Sequence, residues 1–474
     1  MKLRIALSLL LLLPAIEVVL VPQTTQQHGP MMGGQMMHGQ KGPVAGSGEL
    51  GFPNPNGHSA TISQSGSMPG PFSMVFGSNG RNCVTCHQSS EAMSVSAAGL
   101  QSRFDKTGGT DPVFRTKDGS NCDHGVDVST TAARRAAYSL LLTRGLIRVA
   151  LPVPANADFE VVGVSNPYGC GETDVLSMYR RPLPSTNLRF LSSVMWDDRE
   201  SSSETDTVPI DFDNYPKSLY DDLTSQAVNA VTGHAQASGT PPPWRGHAVA
   251  YEMDLISAQS ATSNAGRLDS DGASGGAVAL STQTFFIGMN DSRGAKFNPE
   301  IFDIFNAWAR LPDSDPRSSI ARGQAVFNSK PVTISRVAGL NDAFNAPSIR
   351  GNCGTCHNTP NVGNHSVALP VNIGTADLTN PNGVDYLPVF RLRNKKTGEV
   401  VQTTDPGRAV ITGKFADTGK VKVPVLRGLS ARAPYFHNGS AMTLADVVNF
   451  HDVRFGIGFT TREKADLVAF LGAR

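Results

Sequence analysis

Cys83-Val-Thr-Cys86-His87 and Cys353-Gly-Thr-Cys356-His357 are two copies of one five-residue pattern, and they contain four of the chain's six cysteines. With six cysteines and 11 histidines in 474 residues, chance would supply about 0.002 matches to C-x-x-C-H. In this pattern the two thiols add to the vinyl groups of a haem, and the histidine reaches the iron as proximal ligand. A C-x-x-C pair also serves zinc knuckles and redox dithiols. A histidine directly after each second cysteine argues against both. The expectation is therefore two covalently bound haem c groups, attached at Cys83, Cys86, Cys353 and Cys356, with His87 and His357 as axial ligands of the iron.

Outward from the motifs, Cys122 and Cys170 remain, each in a turn-like setting. In an oxidising compartment two leftover thiols most simply pair, so a structural disulfide is expected. The N-terminus supports such a compartment: Met1-Lys2-Leu3-Arg4 precedes an apolar run from Ile5 to Leu13 that Pro14 and Glu17 interrupt. We read residues 1–22 as a secretory signal, with an uncleaved N-terminal anchor as the alternative, and place the protein in the periplasm. Residues 23–80 are rich in Gly, Pro, Ser, Gln and Met and read as a disordered tether. Its His28 to His38 stretch carries four methionines and two histidines, donors that suit copper, but composition alone makes it a linker.

The rest of the chain is long enough for two haem-sized units, 81–315 and 316–474. With 39% hydrophobic residues, 47 glycines and 31 prolines, it should bury a core yet carry long loops between short helices. The expected class is mainly α. A formal net charge of +1 excludes the basic balance that binds nucleic acid. Ile320, Gly323 and Phe327 share one helical face just before the second motif. Thr460-Thr-Arg-Glu463 is a capping box that opens a terminal helix. Thr443-Leu-Ala-Asp446 opens another, on which Leu444, Val447, Val448 and His451 share a face. A histidine there can reach the open axial position of a haem in the same domain, which makes His451 the candidate sixth ligand.

The segment Val423-Pro-Val-Leu-Arg-Gly-Leu-Ser-Ala-Arg-Ala-Pro-Tyr-Phe-His437, together with Met195-Trp196-Asp-Asp-Arg199 and both haem motifs, resembles the bacterial dihaem cytochrome c peroxidases from about residue 81 to the end. The resemblance implies two cytochrome c-like haem domains with long loops, a peroxide-reacting haem in the first and an electron-transferring haem in the second. It puts His451 where the peroxidases have methionine; the methylamine-utilisation dihaem enzyme has tyrosine there and the rubber oxygenase histidine. It implies that Trp196 relays electrons between the haems, although Asp198 stands where the family usually has glycine. Gln226 matches a distal glutamine on the face of Leu219, Leu223 and Ala230. Ten residues on, where the family has a glutamate, stands Gln236. An amide cannot shuttle protons, which leaves His234 as the nearby substitute. Arg432 replaces a side-chain oxygen of the family's calcium site, which speaks against calcium. His124 is a weak match to the family's displaceable histidine.

The resulting expectation is an exported oxidoreductase that passes electrons from a small soluble donor, such as a monohaem cytochrome or a copper protein, to hydrogen peroxide or oxygen. The alternatives are an oxidase or oxygenase of the methylamine-utilisation or rubber-cleaving type, and a non-catalytic electron carrier. A homodimer is one open oligomeric state.

Overall fold

A computed structural model describes residues 49–63, 70–201, 215–291 and 296–474. The expected signal and the copper-suited stretch lie outside these residues. The described residues all fall in one compact unit, Lys41–Arg474. Among them are ten α-helices: α1 Ala97–Thr107, α2 Thr131–Ala137, α3 Ser139–Arg144, α4 Tyr215–Gly233, α5 Pro242–Asp254, α6 Gly276–Ser281, α7 Pro316–Ser329, α8 Ala409–Thr412, α9 Leu444–Phe455 and α10 Thr461–Gly472. There are also eleven strands, β1 Glu49–Asn54, β2 Gly57–Ser63, β3 Ile147–Pro152, β4 Phe159–Ser165, β5 Val175–Arg180, β6 Leu255–Thr262, β7 Gly266–Arg267, β8 Val332–Ser335, β9 Ser348–Gly351, β10 Val389–Asn394 and β11 Val400–Thr403. They form four small sheets, ordered β1-β2-β6-β7, β11-β10-β4, β3-β5 and β8-β9. The expectation of a mainly α chain thus understates the β content, of which β1 and β2 lie in the stretch read as a tether.

The first correction falls on the tether. Residues 49–63 are a β hairpin that turns at Pro55-Asn56, and β2 pairs antiparallel with β6. Ala60 is fully buried and Ile62 nearly so, in one core with Ile256 and Ala258 of β6. Gly57 is needed at the turn: its φ is +135°, and a Cβ there would lie 2.4 Å from the Ala261 carbonyl oxygen. Composition favoured a linker, but alternating residues with a partner strand 200 positions away prevailed. Phe72, also placed in the tether, is buried against Tyr251 of α5.

Around the second motif, α7 crosses α10. Gly323 permits the crossing, since a Cβ there would stand 2.0 Å from the Asp466 carbonyl oxygen and 2.7 Å from Phe470 Cβ. Asp466 clamps the pair through Ser319 Oγ (2.6 Å) and Arg322 Nε (2.8 Å). The aromatic core beneath, Phe302, Phe305, Trp308, Phe327 and Phe470, draws on residues upstream of the expected boundary at 315/316, as do Leu268 and Ala273. The halves also share a sheet, because β10 pairs with β4, and a core, because Val362, Val367 and Val425 pack with Leu219 and Leu223 of α4.

Candidate functional site

Each motif folds as a single 3-10 turn, Cys83–Thr85 and Cys353–Thr355. In the first, the Asn82 side chain accepts from the Thr85 N–H while Thr85 Oγ1 accepts from the Asn82 N–H, both at 3.1 Å. The His87 and His357 amides donate to Cys83 O (2.9 Å) and Cys353 O (3.1 Å). Each turn therefore presents two thiols and an imidazole from adjoining positions. All four cysteines are unpaired. Burial pushes the thiols of Cys83, Cys353 and Cys356 up to about 12, and it raises Cys86 as well. Among the described residues, the one group of His, Cys, Asp and Glu side chains close enough to share a metal ion is Cys122, Asp123, His124 and Cys170. There Cys122 and Cys170 are already joined as a disulfide, with Cα atoms 5.7 Å apart. Among the described residues, no such cluster includes either motif.

His87 Nδ1 lies 2.9 Å from Met93 O, and His357 Nδ1 lies 2.6 Å from Gly363 O. A carbonyl can only accept, so Nδ1 carries the hydrogen and Nε2 keeps its lone pair for a metal. Burial lowers the proton affinity of both rings, that of His357 to about 4. His451 on α9 repeats the arrangement, with Nδ1 2.8 Å from Val447 O. It is close enough to His357 to depress that ring's proton affinity further. Nearby, Arg427 Nε and Arg474 Nη2 both donate to Asn361 O, at 2.8 and 2.9 Å. Both arginines are buried, and Arg427 Nη1 and Arg474 Nε and Nη1 have no acceptor. Two adjacent buried cations with spare donors suit a pair of carboxylates, such as porphyrin propionates. Two thiols, an imidazole nitrogen left free by the backbone contact and these cations together fit a haem.

The first motif opens on a cleft. Cys83, Cys86, His87, Trp196, Gln226 and His234 all line it. α4 brings the last two there: Leu219 and Leu223 bury one end of its inner face, Gln226 and Ala230 continue it, and His234 follows the helix end. Asn79 Nδ2 donates to the His234 carbonyl at 2.8 Å and fixes that end. Asp118 holds the His234 ring, Oδ2 to Nδ1 2.5 Å, and Arg81 Nη1 holds its other oxygen at 2.5 Å. Burial raises Asp118, but His234 and Arg81 outweigh it and keep the carboxyl below its usual range. Gln236 is corrected: it is exposed, with φ +57°, and its Oε1 accepts from Asn79 instead of facing the cleft. The chain has left the helix by then, so the ten-residue spacing no longer returns to the same face. His124 is likewise an exposed loop residue beside the disulfide, bonded to Asp123.

Trp196 is 8% exposed and donates its indole N–H to Arg181 O at 2.8 Å. Its ring stands edge-on to buried His437, centroids 6.1 Å apart. Asp198 has φ +57°, so an aspartate occupies the left-handed conformation natural to glycine. Asp197 binds Arg180 and Arg199, and Asp405 takes Arg180 Nε at 2.6 Å. This buried charge cluster fixes the tryptophan's turn. Two cleft residues were missed from sequence. Asp118 carries no local signal. Glu252, at the end of α5, is a charged residue on an otherwise apolar face and could have been found.

No family model matches the chain. Curated relatives include cytochrome-c peroxidase IdrP2 of Denitromonas iodatirespirans, 34% identical over 143 residues, 28% of this chain and 38% of that one. Cytochrome-c peroxidase IdrP1 of Pseudomonas sp. (strain SCT) is 28% identical over 216 residues, 38% of this chain and 54% of that one. Cytochrome c551 peroxidase of Nitrosomonas europaea is 27% identical over 180 residues, 32% of this chain and 47% of that one. These relatives are bacterial cytochrome-c peroxidases, the family that the motifs resemble. The chain spans from about 38% to 54% of their lengths. A solved structure titled as a MauG-like protein associated with microbial copper homeostasis matches at 15% identity and a TM-score of 0.28, over 65% of this chain and 78% of that one. A superposition that loose does not bear on the fold.

Proposed function

We propose that the chain is a periplasmic dihaem oxidoreductase that reduces hydrogen peroxide with electrons from a small cytochrome or copper protein. Haem c is held at Cys83, Cys86 and His87 and at Cys353, Cys356 and His357, in an N-terminal and a C-terminal domain. The observation that carries this reading is the asymmetry of the two motifs. His87 lines a cleft with Gln226 and His234, whereas His357 has a second buried histidine, His451, close enough to lower its proton affinity. A haem with two protein ligands exchanges electrons, and one with an open side can also bind a small oxygen substrate. Electrons would enter at the second motif and leave at the first, with Trp196 as the relay between them.

Within the cleft, Gln226 offers an amide hydrogen bond to a bound peroxide. His234, oriented by Asp118, offers a ring nitrogen that can hold or pass a proton. Between the motifs, Val425 lines the first cleft, the next residue's N–H donates to Val362 O at 3.0 Å, and the next carbonyl, Gly363 O, accepts from His357. That is a short bonded route for electrons beside Trp196. A second reading, an oxidase or oxygenase, is favoured by one observation: the family's distal acid position, Gln236, lies outside the cleft.

Anaerobic titration of the loaded protein with peroxide, followed optically, tests the proposal. A high-spin fraction that responds to peroxide, with steady turnover of a reduced small cytochrome, is expected. Oxygen consumption without peroxide turnover selects the oxidase. Two low-spin haems indifferent to peroxide, azide and oxygen leave only an electron carrier.

A further inference from the structure

Glu252 is an acid where the packing calls for an apolar side chain. Trp244, Ala248 and Glu252 recur every four residues along the buried face of α5. Glu252 is 4% exposed, and its Oε2 has no hydrogen-bond partner. Burial alone raises its proton affinity, to about 8, with no charged neighbour contributing. A carboxylate buried without a donor is costly, so the group keeps its proton at neutral pH. The same side chain lines the first cleft with His87, Gln226 and His234, and it lies near enough to Cys83 to raise that thiol further. An unpartnered, protonated acid on the wall of a cleft marks a functional group rather than a structural one.

We propose that Glu252 is the proton donor of the first cleft, in place of the acid that position 236 lacks. The proposal rests on the peroxide-reducing reading above. Hydrogen peroxide becomes two waters by taking up two electrons and two protons, the electrons arriving singly from a small electron-carrier protein. In the proton step the Glu252 O–H bond breaks and an O–H bond forms on the departing oxygen of the peroxide. The O–O bond breaks, its electron pair goes to that oxygen, and water leaves. The Glu252 carboxylate regains its proton from solvent, and the other oxygen takes up the second proton from the same source. His234, with 41% of its side chain exposed, connects the cleft to bulk water for both transfers.

The test compares the haem-loaded parent with Glu252→Gln and Glu252→Asp, using hydrogen peroxide and a reduced small cytochrome. In Glu252→Gln, kcat should fall by about a hundredfold with KM and the resting optical spectrum unaltered, and Glu252→Asp should restore part of the rate. Infrared difference spectra taken above and below pH 8 should show a protonated-carboxyl C=O band in the parent that shifts in D2O and is missing from Glu252→Gln. Parent-like turnover by Glu252→Gln, or a band that persists in it, overturns the proposal. If the parent itself does not turn over peroxide, the peroxide reading falls, and the infrared spectra decide the residue separately. A band lost with Glu252→Gln then keeps Glu252 as the cleft's proton carrier; no such band in the parent removes it.

Discussion

His234 Nδ1 lies 2.5 Å from Asp118 Oδ2, and the carboxylate is itself anchored by Arg81. The pairing occupies one ring nitrogen and leaves Nε2 as the nitrogen available to the cleft. Asp118→Asn keeps the shape of this contact but removes the charge that orients the ring. Peroxide turnover should drop by about a hundredfold, the low end of what a positioned acid–base group contributes, with both haems still attached. An unaltered kcat and pH profile would show that the pair only fastens the end of α4.

Glu252 makes stability depend on pH in a defined direction. Its carboxyl holds a proton up to about pH 8 in the folded chain, against 4.5 for an ordinary glutamate. Between those values the folded state binds a proton that the unfolded state has released, so the group's contribution to stability falls as pH rises and levels off above 8. Glu252→Gln removes this dependence. Urea unfolding should find the variant gaining on the parent by several kcal/mol between pH 5 and pH 8. Parallel curves for the two proteins would mean that Glu252 is ionised in the folded state.

The readings that succeeded were local, and those that failed needed distant partners. The capping boxes Thr443/Asp446 and Thr460/Glu463 start α9 and α10 where the sequence places them, because a cap is decided within four residues. The hairpin at 49–63 was missed because its hydrogen bonds go to β6, far along the chain. Gln226 faces the cleft since it lies within α4, while Gln236 lies past the helix end, where periodicity no longer applies. Asp118 acquires its role only when folding brings it to His234, 116 residues away.

Gly323→Ala should destabilise the protein even though alanine favours helix by about 1 kcal/mol. The added methyl meets backbone, the Asp466 carbonyl, together with Phe470 Cβ, and neither can swing aside as a flexible side chain could. Forcing α7 and α10 apart disturbs the Phe302, Phe327 and Phe470 core and should cost about 1–3 kcal/mol net. A lowered urea midpoint with an unchanged slope would show it. A midpoint equal to the parent's would mean the crossing yields.

Calcium removal should be without effect. Arg432 Nη2 donates to Val425 O at 2.7 Å, and Arg181 Nη2 donates to Arg432 O at 2.8 Å. Guanidinium groups thus occupy these carbonyl oxygens, and their charge repels a cation. Melting temperature and optical spectra should be the same after exhaustive EGTA treatment and after calcium is added back. A rise in melting temperature with calcium would place a site elsewhere.

On the proposed reading, His451 sets the character of the second motif. Its ring packs among Phe436, Phe450 and Phe455, with centroids 6.0, 5.5 and 6.3 Å away, and its Nδ1–H is held by Val447 O. Nδ1 is therefore engaged and Nε2 keeps its lone pair, on a ring close enough to His357 to lower that residue's proton affinity. His451→Ala should leave two haems attached and turn one from low to high spin, while the first cleft keeps its spectrum. His451→Met should stay low-spin and raise that haem's reduction potential, since a thioether favours the reduced iron more than imidazole does. Redox titration of the three proteins separates these outcomes. If the alanine variant keeps a low-spin second haem at the parent's potential, His451 is a packed core histidine, and some other group faces His357.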